Sequence, residues 1–213
     1  YMRNSVKATV DAYDGSVDLY AFDESDPVLK AWQKTFPGTV RPASDISDSL
    51  REHLRYPEDL FKVQRELLAR YHVDDPGVFF NNDAFWSVPN DPTAPEGRGQ
   101  LNQPPYYVVV SDPTDPESDE SSFQLISAFR GYEREFLAAH MSASSDPETY
   151  GEITVRVQRR TEPLAQGPNQ AQDIMIASPA IAQDRRLWGE TAEITEGNLL
   201  ALPLAGDSVL YVE

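Results

Sequence analysis

HLRYPEDLFKVQRELLARYHVDD, residues 53–75, decides how this chain is read. Pro57 breaks one helix and starts another, because proline is at home in a first turn and forces the residue before it out of the helical region. Glu58 and Asp59 then fall in the first turn, where the helix dipole favours acids. The spacing predicts a long amphipathic helix whose buried stripe is Leu60, Phe61, Gln64, Leu67, Leu68 and Tyr71. Asp75-Pro76-Gly77 closes it.

Upstream, Val6, Ala8, Val10 and Ala12 alternate with Lys7, Thr9 and Asp11, and Val17, Leu19 and Ala21 alternate again after Asp14-Gly15. Two period-2 runs around Asp-Gly predict a hairpin over 5–22, with positive φ at both turn residues. Each strand has one small apolar face that something must cover. Asp26-Pro27 opens a short helix with Val28, Leu29, Trp32 and Phe36 on one side. Ser44 or Ser47 caps a second one.

Downstream, 76–103 reads as a long irregular loop held by Phe79, Phe80, Phe85 and Trp86. Tyr106–Val110 and Phe123–Phe129 predict a hairpin whose acidic tip, 111–122, is expected to be mobile. Residues 132–141 suggest a short helix, Ile153–Gln158 a strand, and 168–182 a helix that Pro179 breaks. Gly197–Leu204 and Ser208–Val212 read as two strands. Helices gathered early and strands late argue α+β, with the early helices packed on a mainly antiparallel sheet. The 213 residues make one domain, or one piece of a larger one, since the final VLYVE stops in mid-strand.

Composition narrows the function classes. Acids outnumber bases 35 to 18, a net charge of -17, which argues against nucleic acid as a partner. No cysteine is present, so thiolate metal sites and thiol catalysis are excluded. No apolar run approaches the ~20 residues that cross a bilayer.

Three blocks together, YMRNSVKATVDAYDGSVDLYAFD, HLRYPEDLFKVQRELLARYHV and GNLLALPLAGDSVLYVE, resemble uncharacterised protein family 0182. SDPETYGEITV and QGPNQAQDIM add to the pattern. The resemblance implies a multi-pass actinobacterial membrane protein with a large region outside the cytoplasmic membrane. This chain would be a late portion of that region, and its expected partners are the rest of the same membrane polypeptide and an envelope polymer or partner protein. No site residue is carried over from the family.

The signatures of chemistry are sparse. There is no G-x-S-x-G or S-x-x-K, no H-E-x-x-H and no phosphate-cradling glycine loop. No cofactor or metal is expected. His53 reads as a helix-end histidine, His72 with Asp74 and Asp75 as an ordinary helix stop rather than a cation site, and His140 as a surface residue. Gly167-Pro168 before a helix offers an anion nothing beyond ordinary free N–H groups. Two segments are the candidate ligand-binding residues. Arg55 and Tyr56 beside Pro57 make either an anion clamp or, more simply, an internal salt bridge between helices. Asn81, Asn82 and Trp86 combine amides with a ring, which suits carbohydrate or peptide recognition. The function expected is a non-catalytic binding module of the cell envelope. The alternative is an envelope hydrolase or transferase built on paired carboxylates, which requires two of them across one cleft.

Overall fold

The computed structural model describes residues 2–94, 101–111, 121–159 and 163–213. The fold is α+β, and every strand pairing among the described residues is antiparallel.

Its centre is a five-stranded sheet, in which β5 (Ser121–Gly131) lies between β6 (Leu137–Ser144) on one side and β4 (Tyr106–Ser111) and the short β3 (Trp86–Ser87) on the other. β7 (Ile153–Val157) pairs with the far edge of β6. Leu125, Phe129, Ala139, Met141 and Ala143 face α3 (Glu58–Tyr71), where they bury Tyr56, Phe61 and Ala69. On the opposite face Ala128 and Leu137 pack on Ala201 of β8 (Leu200–Pro203), with Val209 and Tyr211 of β9 (Val209–Val212) beside it.

That two-sided cover explains a correction. Residues 132–141 are a turn followed by β6, not a helix. LAAH has good helix formers, but seven of the eight residues of β6 are buried. A strand covered on both faces reads as an unbroken apolar run, and burial outweighs local propensity.

α3 also turns differently from its sequence pattern. Phe61, Arg65 and Ala69 are its buried residues, whereas Leu67 and Tyr71, expected in the stripe, are exposed. Arg65 occupies the core because its Nη1 donates to the Gln103 carbonyl (2.9 Å) and the Ser127 hydroxyl (3.1 Å). The segment 76–103 is more regular than a loop: α4 (Pro76–Asn81), capped by Asp75, precedes β3. Pro179 ends α5 (Pro168–Ala177) but at once opens α6 (Pro179–Gly189), acting as a first-turn proline. The expected acidic tip at 111–122 falls mostly on 112–120, outside the described residues, while Ser111 and Ser121 at its base are paired.

β1 (Val6–Val10) and β2 (Val17–Ala21) form the predicted hairpin. Its loop is longer than a two-residue turn. Asp11 bonds Ser16 and Gly15 across it, and only Gly15, at φ 77°, is left-handed, not Asp14. α1 (Pro27–Thr35) lies against the hairpin, and α2 (Asp48–Arg51), capped by Ser47, leads through Leu54 to Pro57.

Candidate functional site

An apolar groove of about 600 Å³ lies between the hairpin and α1. Its polar floor is made first. Asp26 caps α1 by accepting from the Val28 N–H (2.8 Å), and its carboxylate also meets the Ser5 hydroxyl and the Arg3 guanidinium (2.8 Å). The Ser5 hydrogen bond, then the Val28 amide and Arg3, hold this buried carboxyl below its ordinary pKa against the pull of burial. With α1 fixed there, Leu29 is buried but Val28, Trp32 and Phe36 are left standing in the groove wall. Trp32 and Phe36, one helical turn apart, stack at 5.0 Å, and Trp32 is still 59% exposed.

The hairpin side of the groove is inverted relative to an ordinary surface strand. β1 turns Lys7 inward and leaves Val6, Ala8 and Val10 outward. Val10 is 65% exposed and Val17, its partner across the ladder, 58%. This face of the hairpin is apolar and open to solvent. Alternation in the sequence located these residues; which face would be covered was not legible, because it depends on what the inner face meets.

The inner face meets a polar cluster that sequence reading missed. The Lys7 ammonium donates to the Tyr150 hydroxyl and to the Arg55 carbonyl (3.1 Å), and lies 4.9 Å from the Phe22 ring centre. Tyr150 donates to the same carbonyl at 2.8 Å. Burial lowers the Lys7 pKa to about 8 and pushes that of Tyr150 up to about 12. Lys7 sits 143 residues from Tyr150 in sequence, so no local pattern signals the pair.

The five residues singled out from sequence do not converge. Arg55 forms no internal salt bridge with a described residue; its guanidinium lies over the rings of Tyr107 (5.4 Å) and Phe123 (5.8 Å). Tyr56 is buried in the main core, where its hydroxyl donates to Gln64 (2.9 Å) and its N–H to Ser145 (3.0 Å). Asn81 and Asn82 are exposed at the end of α4, Asn82 as its left-handed cap. Trp86 lies flat on His72, ring centres 3.6 Å apart, and the two line a second cavity of about 220 Å³ that does not include the asparagines.

The histidines are each held by backbone. His53 Nδ1 contacts the Ser49 carbonyl at 2.7 Å. His72 sets its two ring nitrogens against the Leu68 (2.8 Å) and Ala84 (3.1 Å) carbonyls, and Asp75 caps α4, so this helix end uses its polar groups internally. His140 is not a surface residue. It is 5% exposed on β6, opposite Arg156 of β7, and burial and then Arg156 lower its pKa to about 4. No described group of three or more His, Asp or Glu residues has the geometry to hold a metal ion. Gly167 has a packing reason: a Cβ there would lie 2.1 Å from the Glu135 carbonyl oxygen.

The comparisons agree with the family resemblance. The profile of the uncharacterised protein family UPF0182 matches residues 1–188, and the chain belongs to that family. It is 66% identical over its whole length to a UPF0182 protein of Corynebacterium glutamicum (strain R), of which it covers 21%. It is 62% identical to one of Corynebacterium diphtheriae (21% covered) and 58% identical to one of Rhodococcus jostii (21% covered), again over all of its own length. The chain therefore spans about a fifth of these actinobacterial relatives. No solved structure matches it.

Proposed function

We propose that this chain is a non-catalytic interaction module, the extracytoplasmic portion of a multi-pass membrane protein of the cell envelope. Its partners in this reading are the rest of the same polypeptide and, beyond it, an envelope polymer or a partner protein. The observation that carries the reading is the groove between the hairpin and α1, whose Val28, Trp32 and Phe36 present apolar side chains to solvent. Clustered exposed aromatics of this kind make the anchoring centres of protein interfaces. The membrane setting rests on the family resemblance. No helix among the described residues is long and apolar enough to span a bilayer.

The alternative, hydrolysis or transfer by paired carboxylates, asks for one carboxyl group held protonated near neutral pH. Asp14 and Asp26 are displaced the other way, downward, by hydrogen bonds, so neither is suited to that role.

The chain has no cysteine, which supplies the test. Tyr13, at the tip of the hairpin loop and fully exposed, is replaced in the full-length protein by Tyr13→Cys. A membrane-impermeant maleimide should label it in intact cells, above the background of the unsubstituted protein. Labelling only after permeabilisation would overturn the extracytoplasmic placement. Turnover of envelope glycans or lipid esters by the purified protein, lost on neutralising one acidic pair, would overturn the non-catalytic assignment.

A further inference from the structure

The hairpin offers a partner more than an apolar face. Across it the Phe22 N–H donates to the Ser5 carbonyl (2.8 Å) and the Asp11 N–H to the Ser16 carbonyl (2.9 Å). In an antiparallel ladder bonded and non-bonded pairs alternate. The register then makes Lys7–Tyr20 and Thr9–Asp18 bonded pairs and turns the N–H and C=O of Val6, Ala8 and Val10 to the outer edge of β1. On β2 the equivalent outer groups are used: the Ala21 N–H donates to the Arg41 carbonyl and the Arg41 N–H to the Leu19 carbonyl, each at 2.8 Å. On β1 no described residue pairs with them, and β1 has only β2 as a neighbour.

We infer that the outer edge of β1 is a docking site for an extended, apolar segment of the same polypeptide from outside these 213 residues. That segment continues the hairpin as a third strand and drops alternate side chains into the groove beside Trp32. This deepens the proposed function and rests on it. The same three residues, Val6, Ala8 and Val10, carry both the open backbone groups and outward apolar side chains, so one strand would satisfy both. Free edges are normally guarded by an outward charge or a proline. The lone charge on β1, Lys7, points away from the edge face into its cage with Tyr150.

The occupant follows from length and charge. The chain spans 21% of its Corynebacterium glutamicum relative, leaving nearly four-fifths of that polypeptide to supply the strand at high effective concentration. A second copy brings another net charge of -17 against the first, which opposes pairing of two hairpins edge to edge.

The test places a benzophenone amino acid at Val10 in the full-length protein, irradiated in native membranes and read by mass spectrometry of the cross-linked peptides. A peptide from the same polypeptide outside these residues, in a product of monomer mass, is expected. Ala8→Pro removes an edge N–H while leaving the hairpin's own ladder intact, and should lower the yield at least fivefold; Val6→Lys, which keeps every backbone group, should do the same by setting a charge on the face. A peptide from a second copy or from another protein overturns the same-chain assignment and leaves the interaction module standing. No cross-link at all overturns both, and yields untouched by the two substitutions overturn the strand geometry.

Discussion

The Lys7 ammonium and the Tyr150 hydroxyl, far apart in sequence, bond to each other beneath the N-terminal hairpin and share the Arg55 carbonyl as acceptor. This one contact fixes which way β1 faces. With Lys7 held inward at the joint between the hairpin and the main core, Val6 and Ala8 on either side must face out.

A pH dependence follows from Lys7. Burial lowers its pKa from 10.5 to about 8, so between those values the folded state binds fewer protons than the unfolded one. Stability should rise as pH is raised through this window, by about 1 kcal/mol once solvent screening is allowed for. Tyr150, raised to about 12, begins to oppose the rise above pH 10. Urea midpoints at pH 7 and 9.5 should show the increase, and Lys7→Met should abolish it.

His140 acts on the acid side. Its pKa is lowered from 6.5 to about 4, by burial first and by Arg156 second, so its contribution is complete above about 6.5 and is lost as pH falls towards 4. The loss should reach about 3 kcal/mol. Denaturation of wild type and His140→Gln at pH 7.5 and 4.5 isolates it from the carboxylates, and the variant should show the shallower slope.

Arg65 is a core residue whose charge has no carboxylate partner among the described residues and whose Nε is left without a hydrogen bond. Arg65→Ala should destabilise by roughly 2–4 kcal/mol, through the cavity and the orphaned Gln103 carbonyl together. Arg65→Met, which refills the volume without a buried charge, should recover at least half of that in the same chemical denaturation.

Two glycines separate packing from backbone conformation. Gly167→Ala should cost about 2–3 kcal/mol, because the Glu135 carbonyl sits where the Cβ must go. Gly15→Ala meets open space but keeps φ at 77°, and should cost about 1 kcal/mol. Thermal midpoints of the two variants should rank in that order.

The structure sorts what was readable in the chain by the range of the forces involved. The caps at Asp26 and Ser47, the prolines at 27, 57 and 168, and the alternation of 6–10, 17–21 and 153–157 act over a few residues, and those elements stand where the sequence puts them, whereas α4, capped by Asp75, stands where the sequence reads as a loop. β6 departs from its helical pattern because two layers cover it, and α6 lies beyond the expected stop because a proline that ends one helix also starts the next. The candidate residues Arg55, Tyr56, Asn81, Asn82 and Trp86 were found by type, but Tyr56 packs in the core, Trp86 on His72 and Arg55 over two rings.

By itself, then, the sequence determined the α+β class, the hairpin, the helix at 58–71 and the family, because caps, periodicity and shared blocks are local properties of the chain. Only the tertiary structure decided that Lys7 and His140 are buried, that Arg65 belongs to the core, and that an apolar strand face with an open edge is left uncovered. Burial is a relation between distant segments, and neither residue type nor spacing states which face of an element will meet a neighbour.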